Sequence, residues 1–380
     1  MLGFAWAVGF ATVAGWLSIQ DGDYLVALFQ PAGIHLPWIG MTVLMWVVMV
    51  VVTYQSLNVS AITVIVVETF GLLLMLGVAA VVIAHGGYHG HSLSWKPFTL
   101  GGASFATVTS GVVFAFTSFA GFETAGTAGE ESKRATWYVP VAIFAALLVS
   151  GSVYVFMTWV ETVAFSSAHV LATQTAPLVA VASRYVGGWM GTVMNIAALV
   201  SGFGAQLACL AGAARVFYAL SRDGLAGEPR SVMTRVDRRV GTPVAALGVA
   251  SAISAIGAFV FVGAGPLGSI TDVSTYGADV GVIAYLLIVV AGVVFCWRHV
   301  RRPIHLIVLL AGVVVMGYVV KSSLYPVPAA PLNYAMYSAL GTYALGIALL
   351  VVFPQVRRRL GSSQEFGPRW QEPTRKAADG

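Results

Sequence analysis

The sequence predicts an all-α polytopic membrane protein with about ten transmembrane helices. Three observations carry this: 58% of the 380 residues are hydrophobic, only 9% are charged, and the apolar residues gather into long uninterrupted runs. Soluble domains carry about a quarter of their residues as Asp, Glu, Lys and Arg, so a chain this poor in charge, with a mean hydropathy of +0.86, cannot cover its surface in water. With lipid as solvent, every backbone N–H and C=O must be satisfied within the chain, which leaves helices or a closed barrel. The runs reach the roughly 20 residues that a spanning helix needs and do not alternate polar with apolar as barrel strands do.

In chain order, the apolar segments run from Leu2 to Leu17, Leu36 to Leu57, Ala61 to Ala84, Ser104 to Gly129 and Val139 to Phe165. A second set runs from Met190 to Leu220, Pro243 to Val262, Val273 to Trp297, Leu306 to Val320 and Leu332 to Phe353. Polar or Pro/Gly-rich interruptions separate them at His85 to Pro97, Ser166 to Pro177, Arg222 to Gly241, Arg298 to Pro303 and Tyr325 to Pro331. Residues 1–356 therefore read as one membrane domain and 357–380 as a polar C-terminal tail.

Basic residues set the expected orientation. Lys133, Arg134, Arg222, Arg230, Arg235, Arg238, Arg239, Arg298, Arg301, Arg302 and six more from Arg357 to Lys376 fall on one side of the ten-span arrangement. Lys96, Arg184 and Lys321 fall on the other, and Arg215 lies near the inner end of its helix. Cytoplasmic loops accumulate Lys and Arg, so both termini are expected in the cytoplasm, with the protein in the cytoplasmic membrane. The net charge of +5 is thereby read as topology and not as nucleic-acid binding. Contact of Arg357 to Arg359 with anionic lipid would be generic. Cys209 and Cys296 both lie in apolar runs and imply no disulfide framework. The start at Leu2 lacks a basic n-region and a cleavage site, so it does not read as a signal peptide; it reads as a chain that begins partway through a longer arrangement. None of the four lysines follows a glycine, which excludes a P-loop.

The fourth span carries the strongest chemical signal. Phe119-Ala-Gly121-Phe-Glu123-Thr-Ala-Gly126-Thr-Ala-Gly129 interrupts an otherwise apolar helix with three glycines and a carboxylate, and Thr117 precedes it. A charge at the centre of a span costs about 3 kcal/mol on insertion scales, so Glu123 must face protein or water. Gly121 and Gly126 would make local unwinding inexpensive, exposing half-helix ends that hold charged ligand groups at the midplane. The alternative is a close-packing surface of small residues. Composition leaves both open.

The run Phe114-Ala-Phe-Thr-Ser-Phe-Ala-Gly-Phe-Glu123, followed by Glu130-Glu131-Ser132-Lys133 and Val139-Pro140-Val141-Ala142-Ile143, resembles the sixth helix, following loop and seventh helix of the amino acid, polyamine and organocation permeases. A second block, Ala213-Ala-Arg215-Val-Phe-Tyr-Ala-Leu-Ser-Arg222-Asp223-Gly224-Leu225 with Thr242-Pro243-Val244, is similar to the family's eighth helix end and ninth helix start. Gly15-Trp16 and a polar outer loop after it fit the third helix. Ala135 departs from the family's usual proline.

The resemblance covers nearly everything from Leu2 to Arg359 and implies counterparts of family helices three to twelve. That is a partial 5+5 inverted-repeat permease fold with a broken helix near Gly121, lacking the first two helices. The absent pair is expected either to be encoded upstream or to mark an N-terminally truncated, non-transporting fragment.

On the first alternative, the resemblance implies secondary active transport of an amino acid or related amine by proton-coupled symport or exchange, with H+ or Na+ as coupling ion, and neither cofactor nor metal. Substrate would be held by Thr117, Ser118, Phe119, Ala120, Gly121 and Phe122, with Gln206 and Cys209 facing it from the eighth family helix. Glu123 is the candidate for gating or proton coupling, since a buried carboxyl can exchange a proton near neutral pH. Glu68 is the second, with an interhelical hydrogen bond as its competing role. Asp272 and Asp279, flanking Tyr276, are expected as solvated residues of an outer vestibule. Glu130 and Glu131 beside Lys133 and Arg134 read either as a cytoplasmic gate or as a solvated helix end. His85, His89 and His91 sit close enough to suggest a metal, yet their Gly-rich loop supplies neither Cys nor carboxylate. A membrane enzyme would need converging polar groups, and no HExxH or Gly-x-Ser-x-Gly pattern occurs.

Overall fold

The computed structural model describes residues 1–55, 61–90, 93–99, 101, 108, 111–112, 115, 118–119, 134–174, 176–222, 232, 235–237, 239–300, 303–325, 330–331 and 333–352. Among these, all regular structure is helical: α1 (Leu2–Phe29), α2 (Trp38–Tyr54), α3 (Ala61–Ala84), α4 (Ala135–Ala164), α5 (Ala168–Ala172), α6 (Pro177–Tyr185), α7 (Gly188–Leu220), α8 (Val244–Phe259), α9 (Gly265–Phe295), α10 (Pro303–Leu324) and α11 (Asn333–Val352). Seven stretches of the described residues are long and apolar enough to cross a membrane. One of them, Val244–His299, is divided into α8 and α9 by a turn at Val262–Ala264, where Gly265 takes φ 74°. Helix α2 is apolar but shorter, at 17 residues. The fourth expected span lies outside the described residues apart from a few positions between 108 and 119.

Helix α1 is the axis of the molecule. It packs most extensively on α7, then on α8, α9 and α2, and its buried residues, from Ala5 to Gly22, surround the helix instead of forming one stripe. A helix buried on all sides belongs at the centre of an assembly. Small residues permit it: a Cβ on Gly15 would strike the Ser254 carbonyl and lie 3.0 Å from the Ala258 nitrogen, and one on Gly22 would come within 2.7 Å of the Thr42 nitrogen. From the partner side, a Cβ on Gly257 would lie 3.2 Å from Thr12 Cγ2. In lipid, where apolar surface gains nothing by leaving its solvent, such close approach supplies the attraction between helices.

Three apolar clusters follow from this arrangement. Phe10, Met49, Leu210, Phe217 and Leu247 fill the space among α1, α2, α7 and α8. Val78, Val82, Met157, Val160 and Met194 join α3, α4 and α7. Ala5, Val280, Met336 and Tyr343 join α1, α9 and α11. The outward faces remain apolar, with Val47 and Val51 of α2, Phe70 and Leu73 of α3, Phe144 and Leu148 of α4, and Val308 and Val314 of α10 all exposed. A patch so large would be unusual in water and is the expected surface in hydrocarbon.

Two boundaries differ from the sequence reading. Helix α1 does not stop at Leu17 but continues through Gln20, Asp21 and Asp23 to Phe29, and Gly33, at φ 75°, closes the turn after it. The polar residues expected in an outer loop are therefore helical, because α2 and α7 cover them. Helix α4 begins at Ala135, earlier than the apolar run that starts at Val139, and carries Pro140 inside it. Beyond α2, the Arg239 backbone N–H and the Tyr54 hydroxyl donate to Asp237 at 2.7 and 3.0 Å. Those donors hold its carboxyl below the usual carboxylate range.

Gly15→Ala should destabilise the protein by about 1–3 kcal/mol through overpacking, whereas Gly341→Ala, with open space at its Cβ position, should be neutral or stabilising by up to about 1 kcal/mol. Thermal unfolding in detergent compares the two; equal midpoints would disprove the close crossing at Gly15.

Candidate functional site

Helices α1, α3, α4 and α7, with Leu178 of α6, enclose a cavity of ≈ 930 Å³. Its wall is mainly apolar, built from side chains such as Phe70 and Met75 of α3, Val153 of α4 and Ile196 and Val200 of α7. Five polar side chains interrupt it: Gln20, Glu68, Ser150, Tyr154 and Ser201. Glu68 is the one carboxylate, and no Lys or Arg lines the cavity among the described residues. It stands midway along an apolar helix, where facing lipid would be costly, and it turns to the cavity instead. There Ser201 Oγ lies 3.0 Å from each of its carboxylate oxygens. This is the interhelical contact that the sequence reading set beside a coupling role. Gln20 Nε2 donates to the Tyr24 hydroxyl at 2.8 Å, which holds the amide along the α1 edge of the space.

Directly behind this wall runs a polar strip between α1 and α7. Gln206 Nε2 donates to Ser18 Oγ, and Ser18 Oγ donates back to the Ala14 carbonyl at 3.0 Å. Asp21 presses against Gly202, where a Cβ would collide with its Oδ1. Asn195 Nδ2 donates to the Tyr24 carbonyl at 2.9 Å. The order Ser18, Asp21, Tyr24 on α1 against Gln206, Gly202, Asn195 on α7 makes the two helices antiparallel, with one polar contact at nearly every turn. Asp21 is 0% exposed.

Of the residues proposed from sequence, Thr117, Ala120, Gly121, Phe122 and Glu123 lie outside the described residues, as do Glu130, Glu131 and His91. Ser118 is exposed. Phe119 is half-buried and stacks edge-on against Tyr154 of the cavity wall, at 5.5 Å between ring centroids. The structure thus sets Phe119 against Tyr154, a side chain of the wall that Glu68 also lines. It places Gln206 fully buried on Ser18 and Cys209 half-buried against the cluster around Phe10 and Leu210, beyond Ala205, where the α7 lining of the cavity stops. Asp272 and Asp279 are corrected: they are 8% and 1% exposed, not solvated. Helix α9 starts at Gly265, earlier than the apolar run, and turns both toward its neighbours. Asp272 borders a second cavity of ≈ 430 Å³ among α1, α8, α9 and α11, beside Tyr276, whose hydroxyl lies 2.7 Å from Thr342 Oγ1. His85 Nδ1 sits 2.8 Å from the Val81 carbonyl, and no metal-sized cluster of His, Cys, Asp or Glu occurs among the described residues.

Sequence reading missed Gln20, Asp21, Tyr154, Asn195 and Ser201. A signal existed on α7: Asn195 and Gln206 are side-chain amides within an apolar run, and their spacing of 11 residues places them on one helix face.

Comparison with known proteins gives a consistent result. A family model described as amino acid permease matches residues 1–353. The branched-chain amino acid permease BcaP of Bacillus subtilis is 30% identical over 154 residues, 40% of this chain and 31% of that protein. The chloroplastic cationic amino acid transporter 9 of Arabidopsis thaliana is 31% identical over 150 residues, covering 39% and 25%. The low-affinity putrescine importer PlaP of Escherichia coli is 27% identical over 186 residues, covering 47% and 39%. The chain thus spans less than half the length of each of these relatives.

In a variant lacking Cys209 and Cys296, Ser201→Cys and Glu68→Cys should both react with a small hydrophilic thiol reagent, and Ser18→Cys should not. Labelling of all three at equal rates would show that the cavity and the strip behind it are not separate.

Proposed function

The chain belongs to the amino acid permease family, and from that premise we propose that it serves secondary active transport of amino acids or related amines across the cytoplasmic membrane, by proton-coupled symport or exchange. The carrying observation is the cavity bounded by α1, α3, α4 and α7, in which, among the described residues, one carboxylate, Glu68, stands among apolar walls with no cationic side chain beside it. Such a space favours a ligand that brings an ammonium group and an apolar body. The family and these relatives are transport proteins, and the substrates in the relatives' names, branched-chain amino acids, cationic amino acids and putrescine, all carry ammonium groups.

In this reading, Glu68 attracts the ammonium and Ser201 fixes the carboxylate's direction. The apolar wall receives the side chain or methylene body, whose burial contributes about 25 cal/mol per Å². Phe119, two positions before Gly121 in sequence, meets the wall at Tyr154. The substrate carboxylate is assigned to backbone donors around Ser118 to Gly121, where half-helix dipoles would offset its charge. Glu123 is proposed for gating. The distribution of Lys and Arg supports cytoplasmic termini.

Vesicles containing the protein should accumulate at least one of radiolabelled leucine, lysine or putrescine. Glu68→Gln should raise the half-saturation concentration about ten-fold or more, the worth of one hydrogen bond to a charged group. Glu123→Gln should slow uptake while leaving membrane insertion intact. Uptake unchanged in both variants would remove these carboxylates from the site, and no uptake of any amine would remove the transport function.

A further inference from the structure

We propose that Asp21 is a proton-carrying carboxyl, protonated in this conformation, that couples transport to the proton gradient. The coupling role rests on the transport function above; the protonation does not. Asp21 lies in the middle of the interface between α1 and α7 and is 0% exposed. Neither of its oxygens has a hydrogen-bond partner. An ionised carboxylate in such a place would cost several kcal/mol, and only a proton or a cation removes that penalty.

The neighbouring groups favour the proton. On α1 itself, Asp23 and Tyr24 flank Asp21. Helix α4 brings Glu161 near Tyr24. Helices α2 and α8 bring only hydroxyls to this part of α1, such as Thr42 and Ser254. Helix α7 brings Arg215, but its neighbour Val216 lies level with Gly3, about five turns away. Helix α9 brings Asp272, which shares a cavity with Thr12, and Asp279, whose neighbour Val280 lies on Gly9. Helix α11 meets α1 near Phe4. Among the described residues, no cationic side chain neutralises Asp21.

A second orphan stands one turn away. Gln206 Oε1 is buried without a donor, while its Nε2 is committed to Ser18. The wall between Asp21 and the cavity is thin, because Gly202, which lines the cavity, contributes no side chain. Water entering beside Gly202 can accept the proton and solvate the carboxylate left behind. When the crossing closes again, the carboxylate must first regain a proton. Glu68, which stands in the cavity, lacks this enclosed position.

The test uses the protein in lipid vesicles. In infrared difference spectra at neutral pH, wild type minus D21N should show the carbonyl stretch of a protonated carboxyl, shifted in heavy water. In transport, D21N should lose uptake driven by a pH gradient by about ten-fold, the size of an ordinary coupling free energy. It should retain counterflow of leucine, lysine or putrescine between equal pools. Absence of the band overturns the protonation. A band lost with gradient-driven uptake unchanged, or with counterflow falling equally, overturns the coupling role. Should wild-type vesicles carry none of the three probes, the transport function fails, and the infrared band still decides the state of Asp21.

Discussion

The crossing of α1 with α7, α8 and α2 fixes where everything else can stand. In lipid, helices gain little by hiding apolar side chains, so their attraction depends on how closely backbones approach. Gly15, Gly22, Gly202 and Gly257 remove the side chains that would hold those backbones apart. The cost is tolerance: at these positions a single methyl group meets backbone or carboxylate atoms. The benefit is a central helix whose partners have one permitted depth, which in turn sets the distance between α7 and α3 on which the contact of Glu68 with Ser201 depends.

Polar residues are sorted by this arrangement into two neighbouring environments. On one side of the α1 and α7 wall, Gln20, Glu68 and Ser201 face an accessible space among apolar side chains. On the other, Ser18, Asp21, Asn195 and Gln206 are enclosed between backbones. A carboxylate in the first environment can remain ionised and attract a cation; one in the second cannot hold its charge without a partner. Two acidic residues of similar chemistry thereby stand in different surroundings, Glu68 beside Ser201 and Asp21 against Gly202.

The membrane class, the order of the helices and the family were legible because they depend on quantities that are summed along the chain. Run length, charge content and the pair of motifs around Phe119 and Arg215 need no knowledge of which helix touches which. Helix ends were less legible. Gln20, Asp21 and Asp23 look like a loop in a hydropathy profile, which averages over all faces, whereas α2 and α7 shelter that part of α1 and keep it helical to Phe29. Asp272 and Asp279 were misplaced for the same reason: a carboxylate near the end of an apolar run resembles a solvated one until its neighbours are known.

From sequence alone came an integral membrane protein of amino acid permease type, with Glu68 as a residue that required a polar partner. Tertiary structure supplied the partner, Ser201, which lies 133 positions away in the chain, and it decided that Asp21 is enclosed while Glu68 is open. Hydropathy is a property of single residues and adds along the chain, but burial is a property of pairs of surfaces. Which carboxylate meets water is therefore settled only when α1 and α7 come together.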